Sequence, residues 1–164
     1  MDIYSVLKRD HQVVKKILKN LDETTIKSHK GRTRLLAELK LNLVPHARAE
    51  EQVYYEALKK SNVKEADDLG FEGYEEHAVA DHLIKELEAT RTDDLRWGAL
   101  MSVLKENIEH HIQEEENNMF KTGRKSFDSK TAQKMAGTFL GLKEIFTEEL
   151  TRGESLEQPP SHSI

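Results

Sequence analysis

Two stretches of the chain, HARAEEQVYYEAL from His46 and HIQEEENNMFKTG from His111, repeat one arrangement: a histidine, three residues, then a pair of glutamates. Residues four apart on a helix differ by about 40° around its axis, so His46 with Glu50, and His111 with Glu115, each aim a nitrogen and a carboxylate oxygen at one point. The stripes carrying these pairs are otherwise apolar. Leu35, Leu39, Val53 and Ala57 share the face of His46 and Glu50, and Leu100, Leu104, Ile108 and Met119 share that of His111 and Glu115. A fold that buries these stripes must bury two carboxylates with them, which costs several kcal/mol each unless a cation compensates.

The remaining apolar positions also recur every three or four residues. Ile3, Leu7, His11, Val14, Leu18 and Leu21 form one stripe, and His77, Ala80, Ile84 and Leu87 form another. DHQVVKKILKNL from Asp10 aligns with EHAVADHLIKEL from Glu76 at an offset of sixty-six, and the two histidine–glutamate stretches align at sixty-five. A duplicated helix pair of this kind closes into an all-α, up-down-up-down four-helix bundle with approximate two-fold symmetry. A kink is expected at Pro45, which lacks a backbone donor. A fifth amphipathic segment, SKTAQKMAGTFLGLKEIFTEEL, adds a C-terminal helix with Ser129 placed to cap it, and TRGESLEQPPSHSI reads as a disordered tail.

Composition removes competing readings. With 164 residues and no linker rich in proline or glycine, one domain is expected. The absence of cysteine leaves only histidine and carboxylates to hold a metal. A formal charge of −5, with Lys and Arg spread along the whole length, offers neither a nucleic-acid face nor a membrane patch. No signal peptide or membrane span is visible, so a soluble, cytoplasmic protein is expected.

In a closed bundle the two pairs meet His11 and His77, making six convergent donors: His11, His46, Glu50, His77, His111 and Glu115. Four imidazoles and two carboxylates suit borderline first-row metals, and two carboxylates able to bridge suit a pair of ions. One histidine on an apolar face is more often a hydrogen-bonded core residue than a ligand; four in phase are a different matter. His110 and His82 fall on polar faces and are expected at the surface. Glu51 and Glu116, one step off the ligand phase, are expected to support the ligands or face solvent. His29 and His162 lie in a join and in the tail and receive no role.

The ordered array of H, HxxxE, H and HxxxE on four helices resembles the hemerythrin family, in particular its HHE cation-binding branch of single-domain bacterial type. The YSVLKRDH opening and the appended fifth segment are similar to such members. The resemblance covers residues 1–122, leaving 123–151 as a helix packed on the bundle and 152–164 as the disordered tail. It implies two non-haem iron ions, oxo- or hydroxo-bridged, with the four histidines as nitrogen ligands and Glu50 and Glu115 as bridges. The implied partner is a small oxidant, whether hydrogen peroxide, dioxygen or nitric oxide, with catalase- or peroxidase-like turnover if a site is open. The alternative is an iron-sensing, storing or donating module without turnover, and a metal-independent helical adaptor is a third reading.

One departure matters. Oxygen-carrying members have a further histidine one turn before the third-helix ligand, where this chain has Gly73. Tyr54, one turn beyond Glu50 and about 80° from His46, is the candidate substitute donor. Its alternative role is that of an aromatic core filler with a hydrogen-bonded hydroxyl. Tyr4, Tyr55 and Tyr74 have no comparable phase argument.

Overall fold

The computed structural model describes residues 1–61, 63 and 66–159. Helix α1 (Ile3–Asp22) starts where the Asp2 carboxylate accepts from the Ser5 amide at 2.9 Å, satisfying an amide that the first turn leaves free. Helix α2 (His29–Glu50) passes through Pro45 without interruption. The departure from α geometry comes later, in a π turn at Glu51–Tyr55 that leads into the short α3 (Glu56–Lys59).

Helix α4 (Ala66–Ala89) is followed by α5 (Leu95–Glu114), whose cap Asp94 accepts from the Arg96 amide. A second π turn, Glu115–Met119, joins α5 to α6 (Phe120–Ser126). Helix α7 (Ser129–Thr151) lies against α2 and α1. Its cap is Asp128, one residue before the expected Ser129: the longer carboxylate accepts from the Thr131 amide at 2.7 Å. All regular secondary structure among the described residues is helical, as the three- and four-residue spacing requires.

The core divides into two clusters. One is largely aliphatic and gathers Leu18, Leu39, Ile84, Leu104 and Ile108 around Trp97. The other is rich in rings and includes Tyr4, Tyr54, Tyr55, Phe120 and Phe139. Each fully buried large side chain contributes about 1.5–3 kcal/mol to the collapse. Along α1 and α4 the histidines fall between the clusters, His11 between Leu7 and Val14 and His77 between Tyr74 and Ala80.

The segment expected as a disordered tail is packed as far as Pro159. Gly153, at φ 83°, reverses the chain after α7, and Leu156 rests against the aliphatic cluster. Residues 160–164 of that expected tail lie outside the described residues.

Candidate metal centre

Each of the six convergent positions is buried, and Glu50 and Glu115 have no exposed surface. Four local sequence choices orient the imidazoles. The Nδ1–H of His46 donates to Asp10 at 3.1 Å and that of His111 to Glu76 at 2.6 Å, each acceptor being the residue immediately before the other histidine of the same half. Across the halves, His77 donates to Glu51 at 2.9 Å and His11 to Glu116 at 3.0 Å, each acceptor following a buried glutamate. The duplicated sequence thus yields a duplicated set of carboxylates that turns all four Nε2 atoms inward. Glu51 and Glu116, left between a supporting role and the surface by phase alone, both accept hydrogen bonds from imidazoles of the cluster.

The inward atoms crowd one another. His77 and His111 bring their Nε2 atoms to 3.2 Å. Glu50 Oε2 lies 3.5 Å from His46 Nε2 and 3.6 Å from His77 Nε2, so it stands between imidazoles of opposite halves. Glu115 Oε2 does the same, 3.1 Å from His11 Nε2 and 3.7 Å from His111 Nε2. The contact with His11 is close but is not aligned as a hydrogen bond. Apart from the Tyr4 hydroxyl and Trp97 Nε1, the buried side-chain atoms without a hydrogen-bond partner among the described residues all belong here: His11 Nε2, Glu50 Oε1 and both Glu115 oxygens. Such orphaned atoms are costly, and a cation between them removes the cost.

Electrostatics within the protein alone distinguish the two buried carboxylates. Burial opposes charge on His11, yet the Glu115 carboxylate raises its pKa to about 10; burial likewise opposes ionised Glu115, and His11 holds it down at about 2. Glu50 is pushed the other way, by burial first and then by the neighbouring charge of Glu115. His77 is lowered, chiefly by burial. His46 and His111 are both raised against the effect of burial, His46 by Glu50 and His111 by Glu76, so the near-symmetric sequence treats its two buried carboxylates differently.

Tyr54 is not brought to this cluster. Its hydroxyl donates to the Met119 carbonyl oxygen at 2.7 Å and points toward Gly123. Tyr55 occupies the place instead: its hydroxyl donates to Glu50 Oε2 at 3.2 Å and lies 3.4 Å from His111 Nε2 and 3.5 Å from His77 Nε2. The cause is the π turn. The Glu56 amide bonds to the Glu51 carbonyl oxygen, an i→i+5 bond that wraps one additional residue into the turn, so the residue five beyond Glu50 takes the inward face. The second half repeats the device with Phe120 bonded back to Glu115, and the Phe120 ring stacks on His11.

Gly73 completes the exchange. A Cβ there would stand 2.8 Å from the Met119 Cε and 2.9 Å from the Tyr55 Cζ and hydroxyl, so the Tyr55 phenol fills the space a side chain at position 73 would need. The glycine in the sequence was the available signal for a bulky neighbour; its identity depended on a turn type that spacing does not reveal.

The sequence model of the hemerythrin HHE cation binding domain matches residues 2–122. The chain belongs to this family. No curated protein sequence matches it. Among solved structures, the HHE chain is similar to the crystal structure of a hemerythrin HHE cation binding domain-containing protein from Mycobacterium kansasii. The two are 23% identical with a TM-score of 0.80, the match covering 93% of this chain and 91% of that one. That likeness extends the shared fold beyond the residues matched by the family. Among the described residues of this HHE domain, Glu50, His77 and His111 offer ligand atoms within 4.8 Å of one another.

A second group, Glu76, His110 and Glu114, also comes together, but at the surface, where the His110 side chain is 62% exposed. His82 is exposed as well. His29 is exposed beside Thr92, and His162 lies outside the described residues. His110→Ala and His82→Ala are therefore expected to leave tightly bound metal and its optical spectrum unchanged. Metal analysis after gel filtration checks this; loss in His110→Ala with retention in His111→Ala would reverse the assignment of faces.

Proposed function

We propose that this HHE domain holds two iron ions and binds or turns over small oxidants, with hydrogen peroxide favoured over reversible dioxygen carriage. The supporting observation is the position of the two buried carboxylates, each between imidazoles of opposite halves and each with unpaired oxygens. In this reading His77, His111 and Tyr55 would hold one ion and His11 and His46 the other, with Glu50 and Glu115 placed to serve both. The donor set is nitrogen and oxygen only, which suits iron among first-row metals. Two irons would let a bound oxidant exchange two electrons at one place.

The chain's own residues set the rest. The carboxylates on Nδ1 keep each imidazole in the tautomer whose Nε2 is free to bind. A cavity of about 20 Å³ adjoins His11, His46, His77 and His111, with Val14, Ala80 and Ile112 in its wall. It is of the order of one water molecule, so it admits a diatomic or peroxide-sized ligand and excludes organic substrates. The Tyr55 hydroxyl, pushed well above its ordinary pKa by burial and then by Glu50, remains a neutral donor without metal. A cation reverses that preference and favours the phenolate, an oxygen donor where oxygen-carrying relatives have nitrogen.

Reconstitution with ferrous iron, metal analysis, and spectra after dioxygen and then peroxide test this function. About two irons per chain, peroxide consumption and no lasting dioxygen adduct are expected. Fewer than one iron per chain would remove the di-iron reading. A stable reversible dioxygen adduct would return the protein to oxygen carriage, and two irons inert toward every oxidant would leave iron storage or sensing.

A further inference from the structure

The carboxylates that orient the four imidazoles differ in what holds them. Glu116 is met by Lys8 and Lys15 at 3.5 and 3.7 Å, both from α1. Among the described residues, Glu76 meets His110 alone, at 3.9 Å, besides its hydrogen bond to His111. Asp10 and Glu51, by contrast, are held from beyond residue 122. Lys143 on α7 donates to Asp10 Oδ2 at 2.6 Å, the same oxygen that accepts from His46. Gln158, in the packed stretch after α7, donates to Glu51 Oε1 at 2.9 Å, the same oxygen that accepts from His77.

The second contact is part of a larger anchor. Arg48 donates from Nη1 to both Glu51 oxygens at 2.5 and 2.6 Å, pairs with Asp81, and donates from Nε to the Leu156 carbonyl oxygen at 3.2 Å. Gln158 also donates to the Tyr74 carbonyl oxygen at 2.8 Å, and the Tyr74 hydroxyl bonds back to the Pro159 carbonyl oxygen. Arg48 and Glu51 are 2% and 1% exposed, so the 156–159 stretch is part of what keeps this ion pair from water. A desolvated carboxylate accepting several charge-assisted or amide hydrogen bonds has little freedom to turn.

We propose that the C-terminal segment outside the family-matched region is a working part of the metal centre, with Lys143 and Gln158 as positioning residues for His46 and His77. Both histidines flank Glu50, at 3.5 and 3.6 Å, so the segment acts on one carboxylate of the two. That is also the carboxylate bonded to Tyr55. Removing Lys143 or Gln158 loosens the acceptor, the acceptor loosens the ring, and the Glu50 side binds metal less well. This deepens the di-metal reading and rests on it for the effect on binding; the effect on the rings exists without metal.

Lys143→Met, Lys143→Arg and Gln158→Leu are compared with the wild-type full chain in two states. In the metal-free protein, the imidazole ¹⁵N resonances of His46 are expected to move in Lys143→Met and those of His77 in Gln158→Leu. The His111 resonances stay in place in Lys143→Met and the His11 resonances in Gln158→Leu, and Lys143→Arg restores the His46 signal. Cobalt(II) then serves as the metal probe. Its retention against a chelator is expected to fall about tenfold in each disruptive variant with a changed absorption spectrum, the usual scale for losing a group that orients a ligand. Unmoved imidazole resonances, or cobalt retention equal to wild type, would overturn the proposal, as would a fall in the metal-free melting temperature as the sole effect. If the wild type itself takes up no metal, the di-metal reading fails, whereas the metal-free resonances still report whether the two residues orient the rings.

Discussion

Stripping the metal is expected to lower the melting temperature of the protein by roughly 10 °C. The estimate takes about 4 kcal/mol of binding free energy, the value for a ligand at a thousandfold excess over its dissociation constant. For a chain of this size each kcal/mol moves the transition by about 2–4 °C. The physical source is the set of buried atoms at His11, Glu50 and Glu115 that have no hydrogen-bond partner among the described residues and whose lone pairs a bound cation would coordinate. His46→Ala and His111→Ala should each lose metal and bring the loaded protein down to the melting temperature of the stripped one. Differential scanning calorimetry with metal analysis on the same samples measures both. Equal melting temperatures with and without stoichiometric metal would sink the claim that the cluster needs a cation.

Tyr55→Phe is expected to abolish a broad visible charge-transfer band of the ferric protein, while Tyr54→Phe leaves it in place. The substitution keeps the ring and removes only the oxygen 3.2 Å from Glu50. A phenolate held against ferric iron gives such a band and makes the ferric state harder to reduce, which disfavours reversible oxygen carriage. In Tyr54→Phe the loss is one hydrogen bond to the Met119 carbonyl oxygen, worth about 1 kcal/mol of stability with no change in colour. Absorption spectra of the two variants decide the matter. A band lost in Tyr54→Phe and kept in Tyr55→Phe would show that the π turn does not set the face as described.

Much of the fold was legible before any coordinates. The three- and four-residue spacing of apolar positions is a direct consequence of helix geometry, so the stripes of α1, α2, α4 and α5 could be drawn from the letters. The same periodicity separated His111 from His110 and His77 from His82, because residues one apart stand about 100° apart on a helix and residues five apart about 140°. The caps were less secure. Ser129 and Asp128 both suit the role, and which one accepts depends on the reach of one side chain. The C-terminal stretch resembled disorder because it is polar and short, yet its polar atoms are the ones that Arg48 and Glu51 use.

Helix phase alone placed the six His and Glu positions on inward faces, since phase is a local property and each of the six lies within one regular helical run or at its first residue beyond. The same phase puts two carboxylates in that interior, a burial that a cation would compensate. Only the tertiary structure decided the rest. The choice of Tyr55 over Tyr54 follows from one i→i+5 bond after Glu50, and counting at a constant angle per residue cannot register a turn that holds one residue more. The partnership of Asp10 with His46, of Glu51 with His77 and of Lys143 with Asp10 joins helices far apart in the chain. Their meeting depends on how the helices pack, a relation that local spacing does not contain.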